Sequence, residues 1–157
     1  MRQAREYAGC RILLTPIGVD STSQLFRSAA MPRFVRTRLV LAVRDLDAST
    51  RYWIDVLGCK RDFGDGSDGW SFLSRDEFSV MLGECRDERP ASELGNHSYV
   101  AYITVDNADR LYAELTDRGA LISAPPASKP WGMREFGVRT PDGHRIQMGT
   151  PTAELGR

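Results

Sequence analysis

TRLVLAVRDLDASTRYWIDVLG (37–58) and SYVAYITVDNADRLYAELTDRG (98–119) decide the fold, because the same two elements are read twice. In each, an apolar run with strand character comes first, TRLVLAV (37–43) or SYVAYITV (98–105). A stretch with helical spacing follows, DLDASTRYWIDVLG (45–58) or DNADRLYAELTDRG (106–119), closed by Gly58 or Gly119. Leu46, Trp53, Val56 and Leu57 fall near one face of the first helix, and Leu111, Tyr112 and Leu115 on the apolar face of the second.

Three strands are predicted after each helix. They lie around Lys60–Phe63, Trp70–Ser74 and Phe78–Leu82 in the first half, and near Leu121–Ser123, Arg134–Arg139 and Arg145–Met148 in the second. The halves overlay directly. Val43-Arg44-Asp45 falls on Val105-Asp106-Asn107 at an offset of 62, and the eight residues 76–83 fall on 142–149 at an offset of 66. A period this long excludes a solenoid, so two βαβββ modules side by side are expected, module one at 36–84 and module two at 97–149. The predicted fold class is α+β: each module supplies part of a curled mixed β-sheet, its helix on the outer face, and the other face lines a concave cup.

A chain of 157 residues, 41% hydrophobic, suffices for one domain with its own core, here 31–157, and not for two large ones. Residues 1–30 stand outside the repeat. They lack sustained periodicity, carry a net charge of +2 and contain a Pro16-Ile17-Gly18 break, and they are read as a mobile extension or as translated sequence upstream of a start at Met31. Over the whole chain 21 Lys+Arg cancel 21 Asp+Glu, so no overall basic field draws nucleic acid or an anionic membrane. No apolar run approaches the ~18–20 residues that span a bilayer, and no signal-type apolar region opens the chain, so a cytoplasmic location is expected.

Cys10, Cys59 and Cys85 are odd in number and widely spaced, which predicts reduced thiols instead of a disulfide framework or zinc knuckle. No GxSxG, phosphate loop or Cys-His signature occurs. His97 is read as a loop or rim histidine just before a strand, its side chain opposite that of Val100, and His144 as a turn residue after Pro141-Asp142-Gly143. Glu84 and Glu135 are candidate acids that surface pairing or a buried ion pair explains equally well.

YWIDVLGCKRDF (52–63), DRLYAEL (109–115) and above all KPWGMREFGVRTPDGHRIQMG (129–149) resemble the vicinal oxygen chelate superfamily of glyoxalases, ring-cleaving dioxygenases and bleomycin-resistance proteins. The resemblance covers about residues 36–149 and is greatest to the bleomycin-resistance branch. It implies, for enzyme members, a divalent metal held by His, Gln or Glu at four strand positions, which here look like Arg38, Met81, Val100 and Gln147. Arg38 repels a cation, Met81 offers a thioether, Val100 has no donor, and only Gln147 could ligate. A divalent ion needs about three or four protein ligands, so neither a metal nor another cofactor is expected. That matches a branch whose members bind and sequester a drug without altering it.

The resemblance also implies that Asp62, Phe63, Tyr102 and Trp131 supply the aromatic walls and acidic contact of a ligand groove, with Trp70 on a neighbouring strand and Gly132 in the turn presenting Trp131. Tyr52 and Trp53 are read as helix packing. Tyr102, taken to lie on a central strand, fits core and groove equally, and Trp131 fits a groove better. Residues 60–95 carry nine acids against five bases, which favours a cationic ligand. The function so predicted is metal-free sequestration of a planar cationic small molecule of the bleomycin type, by a homodimer with grooves at the shared boundary. The alternative is a metal-dependent lyase, isomerase or dioxygenase of the same superfamily; a third possibility is a cup serving only for dimerisation or regulation.

Overall fold

The computed structural model describes residues 35–152; the expectations for residues 1–30, for a start at Met31 and for Cys10 lie outside them. Module one comprises β1 (Leu39–Val43), α1 (Leu46–Arg51), β2 (Lys60–Phe63), β3 (Trp70–Arg75) and β4 (Phe78–Glu84). Module two comprises β5 (Tyr99–Thr104), α2 (Ala108–Asp117), β6 (Leu121–Ser128), β7 (Met133–Arg139) and β8 (Arg145–Pro151). The fold is α+β, with one mixed four-stranded sheet per module, ordered β1-β4-β3-β2 and β5-β8-β7-β6. In each, the first pair is parallel and the other two antiparallel.

Both sequence offsets reappear as hydrogen-bonded register. Val40 pairs with Met81 as Tyr102 pairs with Gln147, and Ala42 with Gly83 as Thr104 with Gly149. The second offset is larger because residues are added between helix and last strand, where β6 has eight residues against four in β2. The helices also start alike. The Asp45 side chain accepts from Ala48 N and the Asn107 side chain from Arg110 N, each satisfying an otherwise unpaired first-turn amide. After Arg51 the first helix widens into a π-helical turn, Tyr52–Val56, with Leu57 N donating to Tyr52 O at 3.1 Å.

Alternation along the strands sends Leu41, Val43, Leu73, Val80 and Leu82 of one sheet, and Phe136, Val138, Ile146 and Met148 of the other, into a single core with Trp53, Leu57 and Leu115. The modules are tied together on that side. Ser49 Oγ and Arg44 N donate to the two oxygens of Asp142 at 2.7 and 2.9 Å, and Tyr52 OH donates to Arg139 O at 2.8 Å. Arg75 reaches both Leu57 O and Glu114, at 2.8 and 3.1 Å. Val40, Phe63, Tyr99, Tyr102 and Trp131 remain exposed, so each sheet carries an open face away from the common core.

Two local expectations are corrected. β6 runs on through Pro125-Pro126, which an edge strand tolerates because its outer amides bond nothing in the sheet. β5 is an edge strand and not a central one, which leaves the Tyr102 ring about half exposed. His97 sits exposed in a 3₁₀ turn, Gly95–Ser98, just before β5, as the loop reading has it. Among the described residues no helix is long and apolar enough to cross a membrane.

Candidate functional site

On the open face of module one, β2 and β3 bring Asp62, Phe63, Phe72 and Ser74 against Arg38. Arg38 Nη1 lies 3.1 Å from Asp62 Oδ2, and Ser74 Oγ donates to Asp62 Oδ1 at 2.5 Å. The Ser74 hydroxyl, and after it the Arg38 guanidinium, hold the Asp62 carboxyl below its usual range. Phe63 and Phe72 stack with centroids 4.1 Å apart, and the guanidinium stands 5.4 Å from the Phe63 centroid. Asp62 and Phe63 are thus together, but the charge of one and the ring of the other both meet Arg38. Trp70, on β3, lies across Gly83, where an added Cβ would come within 2.8 Å of the indole.

Module two arranges its face around Glu135. This β7 carboxylate is only 5% exposed. Its Oε1 accepts from Tyr102 OH at 2.9 Å and Trp131 Nε1 at 2.8 Å, and its Oε2 from Gln147 Nε2 at 3.3 Å. Tyr102 reaches it by passing across Gly149, as Trp70 passes across Gly83. Desolvation, followed by the hydrogen bond to Glu135 and its charge, pushes the Tyr102 hydroxyl up to about 12, so it remains a neutral donor. Trp131 occupies a tight turn over residues 129–132. Gly132 N donates to Lys129 O at 3.0 Å, Pro130 presets the turn, and Gly132 takes the left-handed conformation, φ 76°. Trp131 as a residue stays 60% exposed while its ring nitrogen is anchored. Lys129 Nζ stands 6.0 Å from the ring centroid.

A cavity of about 780 Å³ opens here, bounded by Tyr99, Tyr102, Lys129, Trp131, Glu135 and Gln147 among others, all from module two. The structure therefore brings Tyr102, Trp131 and Gly132 to one face and Asp62, Phe63 and Trp70 to another. A larger cavity, about 910 Å³, lies on the helix side between Trp53, Leu57 and Phe78 of module one and Ile103, Leu111 and Met148 of module two. Of the predicted ligand residues only Tyr102 borders it.

The four positions that the resemblance makes metal ligands do not fit a metal. Arg38 is a cation paired with Asp62, Val100 lies at a register irregularity of β5, Met81 is a thioether, and Gln147 turns its amide NH₂ to Glu135. Among the described residues no three His, Cys, Asp or Glu side chains converge. Glu84 pairs with Arg86 at the surface, as one sequence alternative has it, whereas buried Glu135 forms no salt bridge among the described residues. Burial pushes the Cys59 thiol up to about 11 despite nearby Arg75, which keeps it protonated and unreactive at neutral pH.

The model of the Glyoxalase/Bleomycin resistance protein/Dioxygenase superfamily matches residues 36–148, the span of both modules. The chain belongs to this superfamily. Solved structures share its architecture. TioX from Micromonospora sp. ML1 is 23% identical, with a TM-score of 0.62 over 75% of this chain and 99% of that one. A bleomycin-binding protein from bleomycin-producing Streptomyces verticillus, complexed with copper(II)-bleomycin, is also 23% identical, with a TM-score of 0.58 over 78% and 99%. A superfamily protein from Alicyclobacillus acidocaldarius is 17% identical, with a TM-score of 0.65 over 76% and 93%. At such identities the likeness carries the fold alone. No curated protein matches the chain.

Proposed function

We propose that this superfamily member binds a planar cationic small molecule of the bleomycin class and sequesters it without altering it. The observation that carries the reading is Trp131, an indole held at a cavity rim by a hydrogen bond to a buried carboxylate while its face stays open. An exposed aromatic wall of fixed orientation suits a flat ring system, since stacking contributes ~0.5–1.5 kcal/mol beyond area burial. Lys129 already holds a cation near that ring, the geometry a ligand cation would take over. A bleomycin-binding protein shares this fold, and Arg38, Met81 and Val100 at the metal-ligand positions here are unsuited to a hard divalent metal. Two open faces per chain favour a homodimer in which a second copy closes each groove.

Phleomycin added to the protein is expected to quench tryptophan fluorescence, and Trp131→Ala to remove most of the quenching. The variant should lose about 1–3 kcal/mol of affinity and keep its melting temperature within a few degrees, because the ring is at a rim. Absence of any response in the parent, or unfolding of the variant, would refute the reading.

A further inference from the structure

Two acids lie on the open faces, and they differ in what neutralises them. Asp62 meets Arg38. Glu135 has three neutral donors, from Tyr102, Trp131 and Gln147, and no salt bridge among the described residues. Lys129 lines the same cavity, but its ammonium faces the Trp131 ring and forms no ion pair with the carboxylate. An ionised carboxylate only accepts hydrogen bonds, so three donors around it complement the anion. No cation among the described residues pairs with that charge, and an arriving cation offsets the desolvation that burial imposes. Acceptor capacity remains mainly on Oε2, which takes a single 3.3 Å bond.

The position is set by the duplicated register. Glu135 pairs with Gly149 as Trp70 pairs with Gly83, so a carboxylate stands in module two where module one carries a ring. Resting on the ligand reading above, we infer that Glu135, not Asp62, is the specificity-determining acid of the site. It receives the ligand's cationic or N–H group and fixes the Trp131 and Tyr102 rings through the hydrogen bonds they donate to it.

N-methylacridinium and acridine test this, because in mildly alkaline buffer they share a ring system and differ in charge. The parent is expected to bind the cation about tenfold or more tightly than the neutral ring. Glu135→Gln retains an acceptor for Tyr102 and Trp131, and should bring the ratio near one chiefly by weakening cation binding. Gln147→Lys places an ammonium beside the intact carboxylate and should abolish the preference too, which keeps the test open if Glu135→Gln fails to fold. Equal binding of both probes by the parent overturns the role of Glu135 while leaving a planar-ligand site. Equal weakening of both probes in Glu135→Gln, or loss of the preference in Asp62→Asn alone, also overturns it. Binding of neither probe by the parent refutes the ligand reading itself, and the assignment with it.

Discussion

His144, in the turn between β7 and β8, is buried with Nδ1 3.0 Å from Thr140 Oγ1. Desolvation lowers its pKa from the usual histidine value, and the neighbouring Asp142 charge opposes the shift only in part. The folded state therefore favours the neutral ring, and the unfolded chain takes up this proton first as pH falls. Above about pH 6.5 the residue leaves stability unchanged; below it, stability erodes until the folded imidazole also protonates. Melting temperature should accordingly begin to fall as pH drops through about 6.5, and His144→Gln should flatten that part of the profile. An identical profile in the variant would show that another group is responsible. The sequence placed His144 in a turn correctly, but the burial that shifts its titration comes from neighbours remote in the chain.

At the level of elements, the β7–β8 turn is the fastening between the modules. Asp142 accepts from Ser49 Oγ on α1 and from Arg44 N just before it, and its own carbonyl accepts from Ser92 N at 3.1 Å. Asp142→Ala would leave two inward-facing donors without partners, an expected cost of about 2–4 kcal/mol in denaturant unfolding. Asp142→Asn keeps the shape and one strong acceptor and should cost less. A change below about 0.5 kcal/mol in Asp142→Ala would mean that water replaces the carboxylate. Most strand positions are legible in the chain because apolar alternation marks them, and the glycines after both helices mark their ends. The π-helical turn is not legible: Tyr52–Val56 has ordinary helical spacing, and the widened hydrogen bonding shows only in the folded chain. Nor is the extent of β6, since Pro125-Pro126 argues against a strand unless its edge position is known.

For the whole molecule, the two open faces decide what assembly to expect. Val40 and Phe63 are exposed on one module, and Tyr99, Tyr102 and Trp131 on the other. Apolar surface divided between two faces of one chain is covered most simply by a two-fold partner that sets one module's face against the other's. Light scattering should therefore report a dimer at micromolar concentration. Phe63→Lys, an apolar-to-charged change on such a face, should shift the equilibrium toward monomer; a parent that is monomeric throughout would contradict the arrangement.

The duplicated βαβββ order follows from the chain alone, because strand alternation and repeat offsets are local and periodic, whereas the strand pairing and register came with the structure and the resemblance is what makes Arg38, Met81, Val100 and Gln147 the metal-ligand positions. Grouping the site residues required tertiary structure. Asp62 and Arg38 are 24 positions apart and pair only when β2 and the residue before β1 reach the same open face; Tyr102 and Glu135 are 33 apart and meet across β8. A sequence lists both acids alike. Which one keeps its charge unmatched is set by the cation or neutral donors that folding places beside it, since electrostatic interaction depends on distance in space and burial, not on separation along the chain.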